Sequence, residues 1–307
     1  MKMIAIIGYG KIAKDQHVPS IAETDGLQCV AIVSRRGEAP DGIPSFPSLE
    51  ALASSGIAVD AVALCTPPNG RTRLAMSAIN FGWDVLLEKP PGATVSEVQM
   101  LADHASAAGR VLFTTWHSQY NRAVNVAASR LAGQKITSFR IDWREDVRKW
   151  HPGQEWIWQA GGFGVFDPGI NALSIVTKIM PVPLVIDRAT LNFADNHQSP
   201  IAAEIAFGGE LAGKGTATFD WRGAGDEIWQ IEVGTDAETL LLDEGGSKLW
   251  VDSELVISEV SREYPMIYAK FAELLSAKQA LVDVRPLQLV ADAFLLGDRR
   301  RLAPFEG

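Results

Sequence analysis

Residues 3–13, Met-Ile-Ala-Ile-Ile-Gly-Tyr-Gly-Lys-Ile-Ala, constrain the fold more than any other stretch of the chain. An apolar run of strand length, Met3 to Ile7, ends on Gly8-Tyr9-Gly10 and passes directly into a segment with helical periodicity. The next hundred residues repeat the alternation. Candidate strands lie at Met3 to Ile7, Leu27 to Ser34, Ala61 to Cys65, Val85 to Glu88 and Val111 to Thr115. Amphipathic segments separate them, around 11–23, 48–55, 70–82 and 94–109, the last opening on a Thr94-x-x-Glu97 capping box. Strands alternating with helices in this way predict an α/β fold with a doubly wound parallel sheet.

After Trp116 the pattern changes. A helix is predicted over 121–132, a strand over 136–143, a Trp- and Gly-rich loop over 144–164 and a helix ending at Met180-Pro181. Strand candidates at 184–192, 201–207, 214–221, 228–234, 238–243 and 248–257 then follow without intervening helices, and helices at 264–278 and 286–298 close the pattern. Such a run predicts an α+β domain with a largely antiparallel open sheet. At about 150 residues per domain, 307 residues suggest two domains or one large α/β domain, and the change of pattern divides them into 1–120 and 121–307. Tryptophan follows the same division: of nine, only Trp83 and Trp116 precede residue 140.

Composition narrows the partners. A net charge of −9 argues against a nucleic-acid backbone or an anionic membrane surface, and Arg299-Arg300-Arg301 is too short to reverse it. The apolar runs are only strand-sized, so neither a transmembrane helix nor a secretory signal is expected, and the location implied is cytoplasmic. Cys29 and Cys65 sit singly in apolar runs, which predicts buried free thiols and no metal site.

Gly8-Tyr9-Gly10-Lys11-Ile12-Ala13 matches G-x-G-x-x-G/A between a strand and a helix. The first Gly allows the turn, the second lets the backbone approach a pyrophosphate, and the small third residue lets helix and strand pack. Unpaired amides at the helix start suit phosphate oxygens, so a Rossmann dinucleotide site is expected at Gly8, Gly10, Lys11, Ile12 and Ala13. Thr66 and Pro67, after the third strand, and Glu88 and Lys89, at the end of the fourth, complete the expected cofactor set. An NAD-selective site usually ends the second strand on Asp or Glu; here it ends Ser34-Arg35-Arg36, and a hydroxyl beside guanidinium groups suits a 2′-phosphate. NADP is therefore expected as a cofactor with NAD tolerated, although Arg36 reads equally well as a solvated turn residue.

A second set of residues follows. Glu88-Lys89-Pro90 ends the fourth strand at the carboxyl edge, where ligands of open α/β sheets bind, and Pro90-Pro91 restricts the backbone behind the lysine. Asp167 and Asn171 are four residues apart, hence on one helical face. Asp167-Pro168 reads equally well as an N-cap followed by proline. His117 follows the fifth strand, and Glu145, Trp150 and His151 lie in the loop before Asp167; each alone reads as structural or solvent-facing, but polar groups and flat aromatic faces together suit a polyol.

At these residues the chain resembles the Gfo/Idh/MocA oxidoreductase family, in its branch of bacterial aldose 1-dehydrogenases acting on D-galactose and L-arabinose. The strings that carry the resemblance are Gly8 to Pro19, Glu88-Lys89-Pro90, Thr115-Trp116-His117-Ser118, Trp150-His151-Pro152-Gly153-Gln154 and Phe166 to Ser174. The resemblance implies NAD(P)-dependent oxidation of an aldopyranose at C1 to the aldonolactone, with D-fucose as a further substrate. It implies that Lys89 and Asp167 are catalytic, that Asn171, His117, Glu145, His151 and Trp229 contact the sugar, and that Ser34 and Arg35 receive the 2′-phosphate. Trp150 is a second candidate for the sugar's ring face, and the other tryptophans of the second half read as packing residues. Many family members carry His where this chain has Asn171, which cannot accept a proton at neutral pH, so the base is sought elsewhere. Either Asp167 takes the anomeric proton beside the Lys89 ammonium, or the roles reverse. A homodimer through the open sheet is the family expectation. Two alternatives remain, a dehydrogenase of the same fold acting on another polyol or sugar derivative, and a nicotinamide-binding sensor without turnover; the second should lack Lys89 or Asp167, and both are present.

Overall fold

A computed structural model describes residues 1–223 and 225–306. By packing, the chain divides into two units: Met1–His117 with Arg262–Val284, and Ser118–Ser261 with Arg285–Gly307.

In the first unit, β1 (Lys2–Ile7) leads through the glycine turn into a π-helical turn, Ala13–His17, that continues as α1 (Val18–Glu23). There follow β2 (Leu27–Val33), β3 (Ser45–Phe46), α2 (Leu49–Ala53), β4 (Ala61–Leu64), α3 (Arg71–Asn80), β5 (Asp84–Leu87), α4 (Val95–Ala107) and β6 (Leu112–Thr114). Among the described residues these strands form a six-stranded parallel sheet in the order β3-β2-β1-β4-β5-β6. The central strands are buried along their length, with Ile4, Ile6, Val62, Leu64, Val85 and Leu87 inaccessible to solvent. Helices covering both faces explain why these strands read as continuous apolar runs. The capping box at the start of α4 is present, Thr94 and Glu97 each bonding the other's backbone. Strand β3 is two residues long and has no period to read.

The second unit contains α5 (Arg122–Leu131), β7 (Ile136–Arg144), α6 (Val147–Trp150), α7 (Phe166–Ile179), β8 (Ile186–Ala194), β9 (Ala202–Phe207), β10 (Gly215–Asp220), β11 (Ile228–Thr235), β12 (Thr239–Asp243), β13 (Lys248–Val251) and β14 (Glu254–Ser258). Helix α8 (Glu263–Ala277) belongs to the first unit, and α9 (Arg285–Leu296) and β15 (Gly297–Leu302) to the second. Among the described residues the second sheet has nine strands, β14-β13-β12-β11-β7-β10-β9-β8-β15. It is largely antiparallel, with β7–β10 and β8–β15 parallel. Phe139, Ile141 and Trp143 alternate inward along β7 and meet Ile231 and Val233 of β11 and Ala217 and Phe219 of β10. The opposite face carries Arg140, Asp142, Thr216, Thr218, Glu204 and Glu232.

Three elements differ from the sequence expectation. The strand expected over 248–257 is a hairpin, β13 and β14, turning at Asp252 and Ser253, which both adopt positive φ. The expected terminal helix stops at Leu296, and Gly297–Leu302, which holds the arginine run, pairs with β8 as an edge strand. The 144–164 loop contains α6, capped by Asp146, and a single 3-10 turn, Glu155–Trp158.

The sequence division assigns Arg262–Val284 to the second domain, whereas the structure packs it with the first unit. Tyr264, Ile267, Tyr268, Phe271, Leu274 and Leu275 line one buried stripe of α8, which lies against α1. Beyond the helix, Leu281 exchanges backbone hydrogen bonds with Leu112 and Thr114, and Trp116 Nε1 donates to the Asp283 carbonyl.

Candidate active site

In the first unit the strand order reverses between β1 and β4, and the glycine turn lies at that switch point. Gly8 has φ +93°, and a Cβ there would stand 2.9 Å from Thr66 Cγ2 and 3.1 Å from the Thr66 amide nitrogen. Only glycine serves this turn. A Cβ on Gly10 would meet nothing within 4 Å, which leaves open space above the start of the helix. Thr66 Oγ1, just after β4, is shielded from solvent and has no hydrogen-bond partner among the described residues. Open space over a glycine turn, amides at a helix start and an unsatisfied buried hydroxyl fit a dinucleotide pyrophosphate. Pro67 is exposed on the same loop.

At the end of β2, Ser34 Oγ accepts from the Arg36 amide. Glu38, the first acid after the strand, is paired with Lys14 at 2.6 Å, and Lys14 also lies over the Tyr9 ring. Arg35 and Arg36 are exposed and make no ion pair among the described residues.

The Glu88-Lys89-Pro90 segment is fixed from several sides. Arg71, buried at the start of α3, donates to the carbonyls of Thr66, Glu88 and Pro90. Glu88 is buried; its carboxylate accepts from the Lys89 amide, from the Tyr264 hydroxyl and from Thr115 Oγ1 at 3.3 Å. His17 Nε2 stands 3.8 Å from the same carboxylate, and its Nδ1 is 2.7 Å from the Tyr268 hydroxyl. Burial opposes charge on Glu88, but His17, then His117 and Tyr264, outweigh it and hold the carboxyl well below the usual carboxylate range. Glu88, expected at the cofactor, thus commits both carboxylate and carbonyl to neighbours within the unit. Lys89 is half-buried and its peptide to Pro90 is cis. His117 stacks on Tyr264 and pairs through Nδ1 with Glu263 at 2.8 Å. Glu263 and Glu88 raise its pKa against the cost of burial.

The second unit gathers the other predicted residues. Glu145, directly after β7, is buried, and its two carboxylate oxygens each accept an indole N–H at 3.0 Å, from Trp221 and Trp229. Trp229 faces Trp143 across the β7–β11 ladder and has Trp150 tilted over it at 5.7 Å between centroids. Trp150 is 44% exposed, donates to Glu227 at 2.5 Å and lies under the Lys149 ammonium, itself paired with Glu227. His151 meets Trp221 edge-on and sets Nε2 3.5 Å from the Asp167 carboxylate.

Asp167 does not cap its helix. Helix α7 begins at Phe166 after Val165, with no side-chain cap, so the buried Asp167 carboxylate lies inside the first turn and meets His151. Asn171 follows one turn later, half-buried, its side-chain amide making no hydrogen bond among the described residues. Gly169 between them lets α7 approach the sheet: a Cβ there would fall 2.8 Å from Phe219 Cδ1.

Trp221 is a packing residue that also holds Glu145, and Trp158 is half-buried, stacked on His197 at 4.1 Å. Sequence reasoning left unassigned His17, Arg71, Glu263, Tyr264 and Tyr268. The signal available was the Tyr264/Tyr268 pair on one helical face; nothing linked it to Glu88, 176 residues away.

Fold and turn together define the first unit as a dinucleotide-binding unit of Rossmann type. Residues 2–116 match the sequence model described as "Oxidoreductase family, NAD-binding Rossmann fold". The galactose 1-dehydrogenase of Pseudomonas fluorescens is 42% identical over 304 residues, 98% of either chain. This chain belongs to the Gfo/Idh/MocA oxidoreductase family. The crystal structure of a D-galactose-1-dehydrogenase from Rhizobium etli superposes with TM-score 0.94 at 48% identity, covering 99% of this chain and 97% of that one. A 3-ketoreductase from Actinomadura kijaniata, solved with NADP and TDP-benzene, shares the fold at TM-score 0.84 and 17% identity, over 98% and 99% of the two chains.

Proposed function

We propose that this protein oxidises an aldopyranose at C1 to the aldonolactone, with D-galactose and L-arabinose as substrates, D-fucose as a further one, and NADP or NAD as the oxidant. The observation that carries the proposal is the 42% identity to a galactose 1-dehydrogenase along 98% of both chains. D-Galactose and L-arabinose share configuration from C2 to C4 and differ by one hydroxymethyl group. A pocket discriminates such a group by only about 1–3 kcal/mol, so one site serves both.

Gly8, Gly10, Lys11, Ile12, Ala13, Thr66 and Pro67 hold the dinucleotide, with Ser34 and Arg35 at the 2′-phosphate. Two exposed arginines that form no salt bridge among the described residues, and a first acid already paired with Lys14, support NADP. When bound, the nicotinamide supplies the acceptor for the hydride leaving C1. Asp167 takes the proton of the anomeric hydroxyl, and the Lys89 ammonium stabilises negative charge on the C1 oxygen. His151, 3.5 Å from Asp167, orients that carboxylate. Asn171 and His117 bind sugar hydroxyls. Glu145, held by the indoles of Trp221 and Trp229, binds a further sugar hydroxyl. The Trp229 and Trp150 rings offer faces to the apolar side of the sugar.

A sugar panel followed by nicotinamide absorbance with each cofactor tests the proposal. Galactose and arabinose should reduce NADP, and Lys89→Ala and Asp167→Ala should each lower kcat about a hundredfold or more. Turnover at the parental rate in either folded variant would contradict the assignment. The open face of the nine-stranded sheet is the proposed homodimer surface, to be checked by light scattering. A cytoplasmic location accompanies this reading; no helix among the described residues is long and apolar enough to cross a membrane.

A further inference from the structure

We infer that Tyr264, with Thr115 and His17, positions Lys89 by holding the Glu88 carboxylate against the Lys89 amide. The inference rests on the dehydrogenase reading of Lys89 above. It makes α8, which returns to the first unit from beyond residue 261, a working part of the reaction machinery.

The geometry carries the assignment. Glu88 is 4% exposed, and a buried carboxylate persists only where donors and opposite charge compensate it. Each compensating group comes from a different element. Tyr264 on α8 donates its hydroxyl to Oε1. Thr115, after β6, shares its one hydroxyl hydrogen between the Leu87 carbonyl at 2.9 Å and Oε2 at 3.3 Å, and Oε2 also receives the Lys89 backbone N–H. His17, on the helix that opens at the glycine turn, stands 3.8 Å from Oε1, too far for a hydrogen bond but close enough for charge attraction. Its ring is fixed by the Tyr268 hydroxyl at 2.7 Å and by edge contacts with both tyrosines.

The Lys89 main chain is therefore gripped on both sides. Its amide is bound by Glu88, and the flanking carbonyls of Glu88 and Pro90 are bound by Arg71. A lysine has four side-chain torsions, so its ammonium is placed well only if its backbone is. The same carboxylate ties the lysine to the helix of the glycine turn through His17. Tyr264, Thr115 and His17 are positioning residues.

The titratable and charged groups around Glu88 fix the pH behaviour. His17 faces it from the first helix, Tyr264 from α8, His117 from the segment after β6, Lys89 from its own strand end and Arg71 from α3 at its carbonyl; Cys65, after β4, acts on His17. With the Tyr264 hydroxyl removed, the carboxylate loses a donor and takes up a proton more readily as pH falls. A neutral Glu88 grips the Lys89 amide less well.

The test uses the full-length protein with Tyr264→Phe, which keeps the ring and removes one hydroxyl, and with Thr115→Val as a second variant on the same carboxylate. Melting curves report folding, and quenching of tryptophan fluorescence by NADP reports cofactor binding independently of turnover. The expected result for Tyr264→Phe is NADP affinity within about twofold of the parent, galactose KM little changed, and kcat lowered about tenfold. The acid limb of its kcat profile should also lie at higher pH than the parent's. Parental kcat and pH profile in folded Tyr264→Phe would overturn the inference; if that variant does not fold, Thr115→Val decides on the same readouts. Lys89→Ala is run alongside. Parental turnover in Lys89→Ala overturns the dehydrogenase reading of Lys89 and this inference with it, whereas an inactive Lys89→Ala beside a parental Tyr264→Phe overturns this inference alone.

Discussion

Burial alone would discharge both Glu88 and His17, yet the first unit holds them as carboxylate and imidazolium. For His17, burial is outweighed by Cys65 and Glu88, and the ring is pushed up to about 10. A histidine raised on folding contributes stability that is complete below its unfolded value, about 6.5, and lost as pH rises towards the folded value. Glu88 contributes in the opposite sense, above about pH 4.3, with the loss at acid pH. Calorimetry from about pH 6 to pH 10 should show the parent's melting temperature falling, and His17→Gln should start lower and decline less steeply. Equal slopes would remove His17 from the account. Lys89 stood out in the sequence as a candidate because it follows an apolar strand at the edge where ligands bind. Its supports were not, since Tyr264 and His17 meet Glu88 only through the fold and share no spacing with it. Asp167 admitted two readings; the structure excludes the cap, because α7 starts one residue earlier.

At the scale of elements, α7 carries Asp167 and Asn171, and Gly169 sets how close the helix lies to the sheet. Gly169→Ala would drive a Cβ to 2.8 Å from the Phe219 ring, and overpacking of this kind costs roughly 1–3 kcal/mol. The expected outcome is a lower melting temperature together with a raised galactose KM, because Asn171 moves with the helix; an unchanged melting temperature would show that Phe219 yields freely. The parallel strands of the first unit were legible because both faces are buried. Strand β15 was not, because Gly-Asp-Arg-Arg-Arg-Leu has no apolar alternation. It is held by main-chain bonds to β8, and its charges leave a polar edge that discourages further pairing. The β13–β14 hairpin was read as one strand because its turn, Asp252-Ser253, contains no glycine or proline.

At the scale of the molecule, the chain packs as two interleaved units, α8 belonging with the first although it follows the second's strands in sequence. In the proposed reading, cofactor recognition rests there on glycine, backbone amides and arginine. The tryptophans of the second unit divide between packing, as with Trp143, and the clamp on Glu145 made by Trp221 and Trp229. The central claim is that hydride leaves C1 of an aldopyranose. D-Galactose carrying deuterium at C1, incubated with the protein and NADP, tests it most directly by mass spectrometry. The account predicts one deuterium in the reduced cofactor and an unlabelled galactonolactone; reduced cofactor without deuterium, and label retained in the sugar product, would contradict it.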